Sequence, residues 1–202
     1  MHNKFIFDFG QVLVHFNPEI IVRPYISDKD DSNLVQRVLF DRLYWDRLDA
    51  GTIEDEEVIR LACERLPERL HNSVRKIYEN WYYNIPEVDG MRELLSDIKN
   101  NGGKLYLLSN ISKGFAEHSH EIEILKPFDG MVFSATCGYT KPSIEIFNYI
   151  CKKYDLEPNE TLYIDDNKKN IEGGQSIGLK TYLFDGNTSE LRAAIEEFSE
   201  RN

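Results

Sequence analysis

The chain of 202 residues is long enough for one full hydrophobic core, or for a core with a small inserted domain. Its net charge of −11 argues against binding nucleic acid or an anionic membrane through bulk electrostatics. No apolar run approaches the ~18 to 20 residues that span a bilayer, and Asp8 interrupts the first apolar stretch, so we expect neither a transmembrane helix nor a signal peptide.

Cysteine usage predicts a reducing compartment. The three cysteines, Cys63, Cys137 and Cys151, lie far apart and match no metal-ligand spacing. Because disulfides are rare in the cytosol, scattered cysteines in odd number are typical of reduced thiols, and we expect a cytoplasmic protein. The composition is compatible with a monomer and leaves the oligomeric state open.

The chain begins with a predicted strand that ends in a carboxylate. The strand is Lys4-Phe5-Ile6-Phe7; Asp8 follows it, and Gly10 comes two residues later. In open α/β sheets, ligands bind at the carboxyl ends of the strands. Glycine lets the backbone turn sharply and approach a ligand closely. Asp8 is therefore a candidate site residue, although a simple turn residue would give the same local pattern.

The next 70 residues contain no convincing strand. Apolar residues recur at helical spacing in three groups, which begin at Leu34, Val58 and Val74. Gly51-Thr52 breaks this pattern, and Pro67 interrupts or restarts it. We therefore predict an all-helical insertion over residues 17–85, called the cap below, between two parts of one core, residues 1–16 and 86–202.

Beyond Pro86, predicted helices alternate with predicted strands. The helices are Met91–Asn100, Lys113–Leu125, Pro142 or Ser143 to Tyr154, Lys169–Ile177 and Ser189–Phe198. The strands are Leu105–Leu108, Gly130–Ser134, Thr161–Ile164 and Lys180–Phe184. This alternation predicts an α/β fold, a doubly wound parallel sheet of the Rossmann-like type, into which the helical cap is inserted.

Polar residues follow four of the predicted strands. They are Asp8, Ser109-Asn110, Ser134 and Asp165-Asp166. Crossovers of one hand bring the ends of parallel strands to one edge of the sheet, where Lys141, in the loop after Ser134, would join them. Taken singly, Ser109, Asn110 or the aspartates could cap helices, and Lys141 could be an ordinary loop residue. Their combination predicts a functional site.

Three carboxylates at one edge would need a cation. If Asp8, Asp165 and Asp166 converge, two charges ~4 Å apart repel by about 4 kcal/mol at an effective dielectric of ~20. A divalent cation relieves this repulsion, and oxygen-only ligands with an unfilled shell fit Mg²⁺, which also binds substrate phosphate. Lys141 would face that phosphate. Asp8 remains as the candidate nucleophile, because aspartyl phosphates are an established type of intermediate.

The Ser109 hydroxyl and the Asn110 amide could hydrogen-bond the transferring oxygens, which completes four motifs. Together these motifs resemble those of the haloacid dehalogenase superfamily of hydrolases, in the phosphatase group that carries a helical cap after the first motif. The resemblance covers nearly the whole chain. It implies that Asp8 is the nucleophile, that Ser109 binds the phosphoryl group, and that Lys141 stabilises both.

The same resemblance implies a set of metal ligands. Gly10 would contribute its backbone carbonyl and Asp166 would bind the metal directly, alongside Asp8, whereas Asp165 would act through water. Two stretches, Phe9-Gly10-Gln11-Val12 and the run from Asp165 to Gly173, resemble a subgroup that includes bacterial sugar-1-phosphate phosphatases, such as those for α-D-glucose 1-phosphate.

Gly10 departs from the family pattern. Most phosphatases of the superfamily carry a second aspartate there, as general acid and base, and such catalysis is worth roughly 10²- to 10⁴-fold. We expect slow turnover of poor leaving groups, unless His15, Gln11 or a cap residue supplies the proton. A true dehalogenase is disfavoured, because those enzymes carry an aromatic residue at the position of Gly10.

The predicted function is a Mg²⁺-dependent phosphomonoesterase for a small phosphorylated metabolite, with a sugar phosphate favoured. A phosphomutase and a non-catalytic phosphometabolite-binding protein are the alternatives left open. The cap would set substrate choice, and its loop Leu48–Thr52 lies where relatives reach over the active site. Tyr44 and Trp45 could stack on a sugar, although we favour core packing for Trp45.

Overall fold

The protein forms a five-stranded parallel sheet. The computed structural model describes residues 3–83 and 85–200. The strands are β1 (Lys4–Phe7), β2 (Lys104–Ser109), β3 (Gly130–Phe133), β4 (Thr161–Asp165) and β5 (Lys180–Leu183). Their order is β3-β2-β1-β4-β5, and every neighbouring pair is parallel. The predicted doubly wound sheet is confirmed.

The position of β1 determines where a ligand can bind. From β1 the chain builds β2 and β3 on one side, and then crosses to β4 and β5 on the other. The connections therefore reverse direction between β1 and β4, and the crevice at their carboxyl ends is the usual binding position in such sheets. Because β1, β2 and β4 are buried on both faces, they are nearly continuous apolar runs.

Eleven α-helices lie among the described residues. In the cap they are α1 (Pro18–Val22), α2 (Lys29–Leu39), α3 (Arg42–Asp49), α4 (Asp55–Glu64) and α5 (His71–Asn80). The others are α6 (Met91–Asn100), α7 (Lys113–His118), α8 (Ser134–Cys137), α9 (Ile144–Tyr154), α10 (Lys168–Ser176) and α11 (Thr188–Glu200). Residues 17–83 contain no strand, as the sequence predicts. None of the described helices combines the length and apolarity needed to cross a membrane.

Side-chain caps begin the first three helices. Asn17, Asp28 and Asp41 each have extended backbone angles and accept a hydrogen bond from a backbone N–H in the first turn of α1, α2 and α3. Such caps satisfy donors that have no partner within the helix. They divide the cap into short helices whose apolar faces pack together.

Side chains alternate across the sheet and divide the core in two. Phe5 and Phe7 of β1 belong to a large apolar cluster that continues into α2, α4 and α5. Ile6 belongs to a smaller cluster with residues of α9 and α10. This alternation is the two-residue period of a strand. The larger cluster makes the cap continuous with one face of the sheet.

A polar contact also attaches the cap to the core. Asp55, the first residue of α4, accepts hydrogen bonds from the hydroxyls of Tyr78 and Ser112, each at 2.8 Å. Its second carboxylate oxygen accepts the backbone N–H of Gly114 at 3.1 Å. Ser112 and Gly114 lie at the start of α7, so this one carboxylate joins α4 and α5 of the cap to a helix of the core.

The prediction of a single helix over Lys113–Leu125 is wrong. The α-helix α7 ends at His118, and two short 3₁₀ helices follow, Ser119–Glu121 and Glu123–Leu125. Ile122 between them is extended, with φ −85° and ψ 115°, which interrupts the helical hydrogen bonds. Its side chain nonetheless remains buried, so the apolar spacing persists across the break.

Ser134 begins α8 rather than ending β3 as predicted. Its hydroxyl accepts the backbone N–H of Ile111 at 2.9 Å and donates to the backbone carbonyl of Asp49 at 2.5 Å. The same side chain thus joins the loop after β2 to the end of α3 in the cap. The other predicted elements differ from the observed ones by at most two residues at either end.

Candidate active site

The carboxyl ends of three adjacent strands bring the predicted polar residues together. Asp8 directly follows β1, Ser109 ends β2, and Asp165 ends β4. The backbone N–H of Asp8 donates to the backbone carbonyl of Ile164 in β4 at 3.0 Å. Because Asp165 follows Ile164, this hydrogen bond places the two aspartates on neighbouring strands at the same edge of the sheet. Lys141 reaches this edge from the loop between α8 and α9.

Lys141 forms a buried ion pair with two aspartates. Its Nζ lies 2.7 Å from Oδ1 of Asp8 and 2.8 Å from Oδ2 of Asp165, and its side chain is 1% exposed. Burial alone would lower the pKa of this ammonium, but the two carboxylates outweigh it and raise the pKa above the ordinary value. Lys141 is therefore a permanent cation in this site.

The amide of Asn110 holds the backbone of Lys141. Its Nδ2 donates to the carbonyl of Lys141 at 2.9 Å, and its Oδ1 accepts the N–H of Lys141 at 2.8 Å. Both ends of the amide are engaged in this contact, which gives Asn110 a positioning role. The contact predicted between Asn110 and the transferring oxygens remains a prediction, and so does the contact predicted for Ser109. Both residues line a cavity above Asp8, which is described below.

Asp8, Asp165 and Asp166 converge as expected. One carboxylate oxygen from each lies within 4.8 Å of the other two. Burial raises the pKa of Asp8, because the attraction of Lys141 only partly offsets desolvation. Burial and the neighbouring charge of Asp165 also raise the pKa of Asp166. A single lysine does not balance three carboxylates, so the site attracts a further cation.

Asp165 is fully buried, and both of its carboxylate oxygens accept hydrogen bonds from other residues of the protein. It accepts hydrogen bonds from Lys141 Nζ at 2.8 Å, the backbone N–H of Asn167 at 2.8 Å, Nδ2 of Asn170 at 3.1 Å, and the hydroxyl of Tyr163. Although burial alone would raise the pKa of Asp165, Lys141 and these donors hold it below the ordinary value. Asp166, in contrast, is exposed and lines the cavity. The direct ligation predicted for Asp166 and the indirect role predicted for Asp165 remain predictions.

One oxygen of Asp8 is left available. Oδ1 accepts the backbone N–H of Phe9 at 2.7 Å as well as contacting Lys141. Oδ2 accepts no hydrogen bond from any residue in the described ranges 3–83 and 85–200. This carboxylate is therefore oriented through one oxygen, while the other can attack a substrate or bind a cation.

The loop after β1 places Gly10 on the cavity but supplies no acid. Gln11 adopts the left-handed region, with φ 59°, and its Nε2 donates to the carbonyl of Phe16 at 2.9 Å. His15 is exposed and does not line the cavity. Neither of the two loop residues named as substitutes for the missing acid is thus placed as a proton donor.

The cavity above Asp8 has a volume of about 230 Å³. The cap contributes Arg42, Trp45, Asp49 and Trp81 to its wall, and Phe16 lies beside them. The core contributes Asp8, Gly10, Ser109, Asn110, Lys141 and Asp166, among others. Cap and core therefore enclose the candidate nucleophile together. A larger cavity of about 300 Å³ between α6 and α11 contains none of the converging carboxylates.

Trp45 both packs in the cap and lines the cavity. Its Nε1 donates to the carbonyl of Leu39 at 2.7 Å, and its ring stacks on Phe40 with centroids 5.1 Å apart. Tyr44 is not on the cavity wall; its ring lies 5.6 Å from the guanidinium carbon of Arg65. The cavity wall also includes Asp49, a residue of the loop Leu48–Thr52 that belongs to none of the four motifs.

Comparisons with known proteins agree with this geometry. The chain is 26% identical to the sesquiterpene phosphatase AstK of Aspergillus oryzae, over 86% of this chain and 85% of that protein. It is also 26% identical to the D-ribitol-5-phosphate phosphatase of Bacteroides thetaiotaomicron, over 90% and 91%. A haloacid dehalogenase family enzyme of B. thetaiotaomicron, solved with magnesium and inorganic phosphate, has a TM-score of 0.71 at 18% identity and covers 95% of this chain and 99% of its own. The model of the haloacid dehalogenase-like hydrolase family matches residues 49–184. With more than half of its length matched, the chain belongs to that family.

Proposed function

We propose that this protein is a Mg²⁺-dependent phosphomonoesterase that hydrolyses a small phosphorylated metabolite through an aspartyl phosphate on Asp8. The observation that carries the proposal is the contact of 2.7 Å between Asp8 and the buried Lys141, within a cluster of three carboxylates. Two similar proteins are named phosphatases, and a structural neighbour contains magnesium and phosphate, which supports the assignment.

The donor set fits Mg²⁺. The available atoms are hard oxygens, and their negative charge exceeds that of the one lysine beside them. Asp8, Asp166 and the carbonyl of Gly10 would hold the ion directly, with Asp165 behind them. When bound, the ion neutralises negative charge on the phosphate oxygens.

The residues of the chain then divide the reaction among them. The carboxylate of Asp8 attacks phosphorus, the bond to the ester oxygen breaks, and the alcohol leaves after taking up a proton. Water next attacks the phosphorus of the aspartyl phosphate, which releases inorganic phosphate and restores the carboxylate. Lys141 keeps Asp8 oriented and faces the phosphoryl group, and the Ser109 hydroxyl binds its oxygens. Such catalysis depends mainly on positioning and electrostatics.

A sugar phosphate suits the cavity. Its volume of about 230 Å³ limits the substrate to a small molecule, and Trp45 and Trp81 offer apolar ring surface beside the polar groups of Arg42 and Asp49. Rings that border polar side chains bind the mixed apolar and hydroxyl surface of a sugar. The similarity to a D-ribitol-5-phosphate phosphatase supports this class of substrate.

Release of inorganic phosphate tests the proposal. We expect turnover of p-nitrophenyl phosphate with Mg²⁺, none after chelation, and preferred substrates among a panel of phosphorylated sugars. Asp8→Asn should abolish turnover and leave the fold intact, because the amide is nearly isosteric. Residual activity of a tenth of wild type would exclude the covalent route. Phosphate moved to another hydroxyl without release would indicate a phosphomutase, and binding without turnover a metabolite-binding protein.

A further inference from the structure

This chain lacks the acidic side chain that most phosphatases of the family carry two residues after the nucleophile. A glycine stands at position 10, and the amide of Gln11 cannot act as an acid because it does not ionise. His15 lies off the cavity wall. An alkoxide leaving group still requires a proton, so a donor on the remaining wall of the cavity would complete the site.

Asp49 is the cap carboxylate on that wall. It is the last residue of α3, and its backbone carbonyl accepts the hydroxyl of Ser134 at 2.5 Å. The next glycine, Gly51, packs so closely on α8 that an added Cβ would lie 2.6 Å from the carbonyl oxygen of Ala135. Two close backbone contacts therefore hold this end of α3 against the core.

The carboxylate itself is free to exchange a proton. It is half-buried, and no residue in the described part of the chain donates a hydrogen bond to it or pairs with it. Burial raises the pKa of Asp49 to about 6, with Arg42 and Lys141 opposing the shift and Asp46 adding to it. Among the described residues, the phenol of Tyr78 also lies within reach of this charge, and burial together with Asp55 and Asp49 raises the pKa of that phenol. A group that titrates near neutral pH is suited to both donate and accept protons.

We propose that Asp49 is the general acid and base of the reaction, acting from the cap in place of the carboxyl group that is absent at Gly10. This inference rests on the proposed function. As Asp8 attacks, the electrons of the breaking P–O bond go to the ester oxygen, which takes the proton of Asp49. The resulting carboxylate then accepts a proton from the water that attacks the aspartyl phosphate. One turnover returns both aspartates to their starting states and yields alcohol and inorganic phosphate.

The test compares esters of graded leaving-group acidity in single-turnover reactions with Mg²⁺. Asp49→Asn removes the ionisable proton and keeps the shape. We expect a loss of roughly 10²- to 10⁴-fold on alkyl and sugar phosphates, but less than about tenfold on p-nitrophenyl phosphate, whose anion leaves unaided. The dependence of rate on leaving-group acidity should steepen, and the limb of the pH profile near 6 should disappear.

Two further variants make the result specific. Glu64→Gln removes an exposed carboxylate of the cap that lies away from the cavity wall, and it should retain wild-type rates on every ester. Adding Gly10→Asp to Asp49→Asn should restore part of the alkyl phosphate activity, because a Cβ at Gly10 would meet only Phe16, at 3.8 Å. An equal loss on all esters, or no loss, would overturn the role of Asp49 and leave the phosphatase proposal intact. A wild-type protein inert toward p-nitrophenyl phosphate would overturn both.

Discussion

Removing the charge of Lys141 tests the electrostatic argument for the site. Lys141→Met keeps an unbranched apolar side chain of similar length but removes the ammonium that contacts Asp8 and Asp165. Two carboxylates are then left in a buried position without their counter-ion. Breaking a buried ion pair in this way costs about 3 to 5 kcal/mol, out of a total stability of ~5 to 15 kcal/mol for a typical protein.

The loss should depend on pH. Burial raises the pKa of Asp8 even with the lysine present, so removal of the lysine raises it further. When the pKa of an acidic group is higher in the folded protein than in the unfolded chain, the free energy of unfolding falls as the pH rises from the unfolded to the folded pKa. The deficit should therefore be smaller at pH 5, where Asp8 takes up a proton, and full at pH 8. Part of it should persist at pH 5, because Asp165 also loses its counter-ion.

Urea unfolding in the presence of EDTA measures this difference without a bound metal. Lys126→Met provides the matched control, because Lys126 pairs with Glu123 at the surface and more than half of each side chain is exposed. An exposed pair contributes about 0 to 1 kcal/mol, with little change between the two pH values. If Lys141→Met were equally destabilised at pH 5 and pH 8, or by less than ~1 kcal/mol at pH 8, the reasoning would be refuted.

Three further changes test the metal ligands, the cap carboxylate and the attachment of α4. Asp166→Asn should weaken Mg²⁺ binding in calorimetry more than Asp165→Asn, and the reverse order would place Asp165 in direct contact with the ion. Asp49→Asn should raise the thermal stability at pH 7.5 but not at pH 4, because burial of the ionised carboxylate destabilises the folded protein only at the higher pH. The shift of the Asp49 pKa from 3.8 to about 6 corresponds to a destabilisation of about 3 kcal/mol, and partial exposure of the side chain reduces the expected gain to about 1 kcal/mol. Unchanged stability at pH 7.5 would argue against that burial. Asp55→Ala should cost about 3 kcal/mol in urea unfolding, because three donors lose a charged acceptor, whereas a similar loss for the exposed neighbour Glu56→Ala would contradict a specific contact.

The strand ends could be predicted because they follow from local pattern and a general topological rule. Short apolar runs that end in Asp8, Ser109 and Asp165 identify parallel strands, and parallel strands bring their ends to one edge. The proximity of the three carboxylates needed no further information. Which oxygens are engaged, and by which donors, did not follow from the sequence.

Contacts between distant parts of the chain explain what could not be predicted. The amide of Asn110 finds the backbone of Lys141, 31 positions away, and nothing local to either residue indicates the pair. The break at Ile122 is equally hidden, because an extended residue between two short helices preserves the apolar spacing. Asp49 owes its burial to a cavity wall assembled from cap and core, so its raised pKa is a property of the fold alone.

The hydrogen bond from Ser134 to residue 49 has a consequence for how this site can evolve. The bond ends on the backbone carbonyl of residue 49, which every amino acid provides, and not on its side chain. Substitution at that position therefore leaves the bond that anchors the helix end in place. A single substitution at position 49 could therefore add or remove an ionisable group on the cavity wall without removing the hydrogen bond that anchors the end of α3.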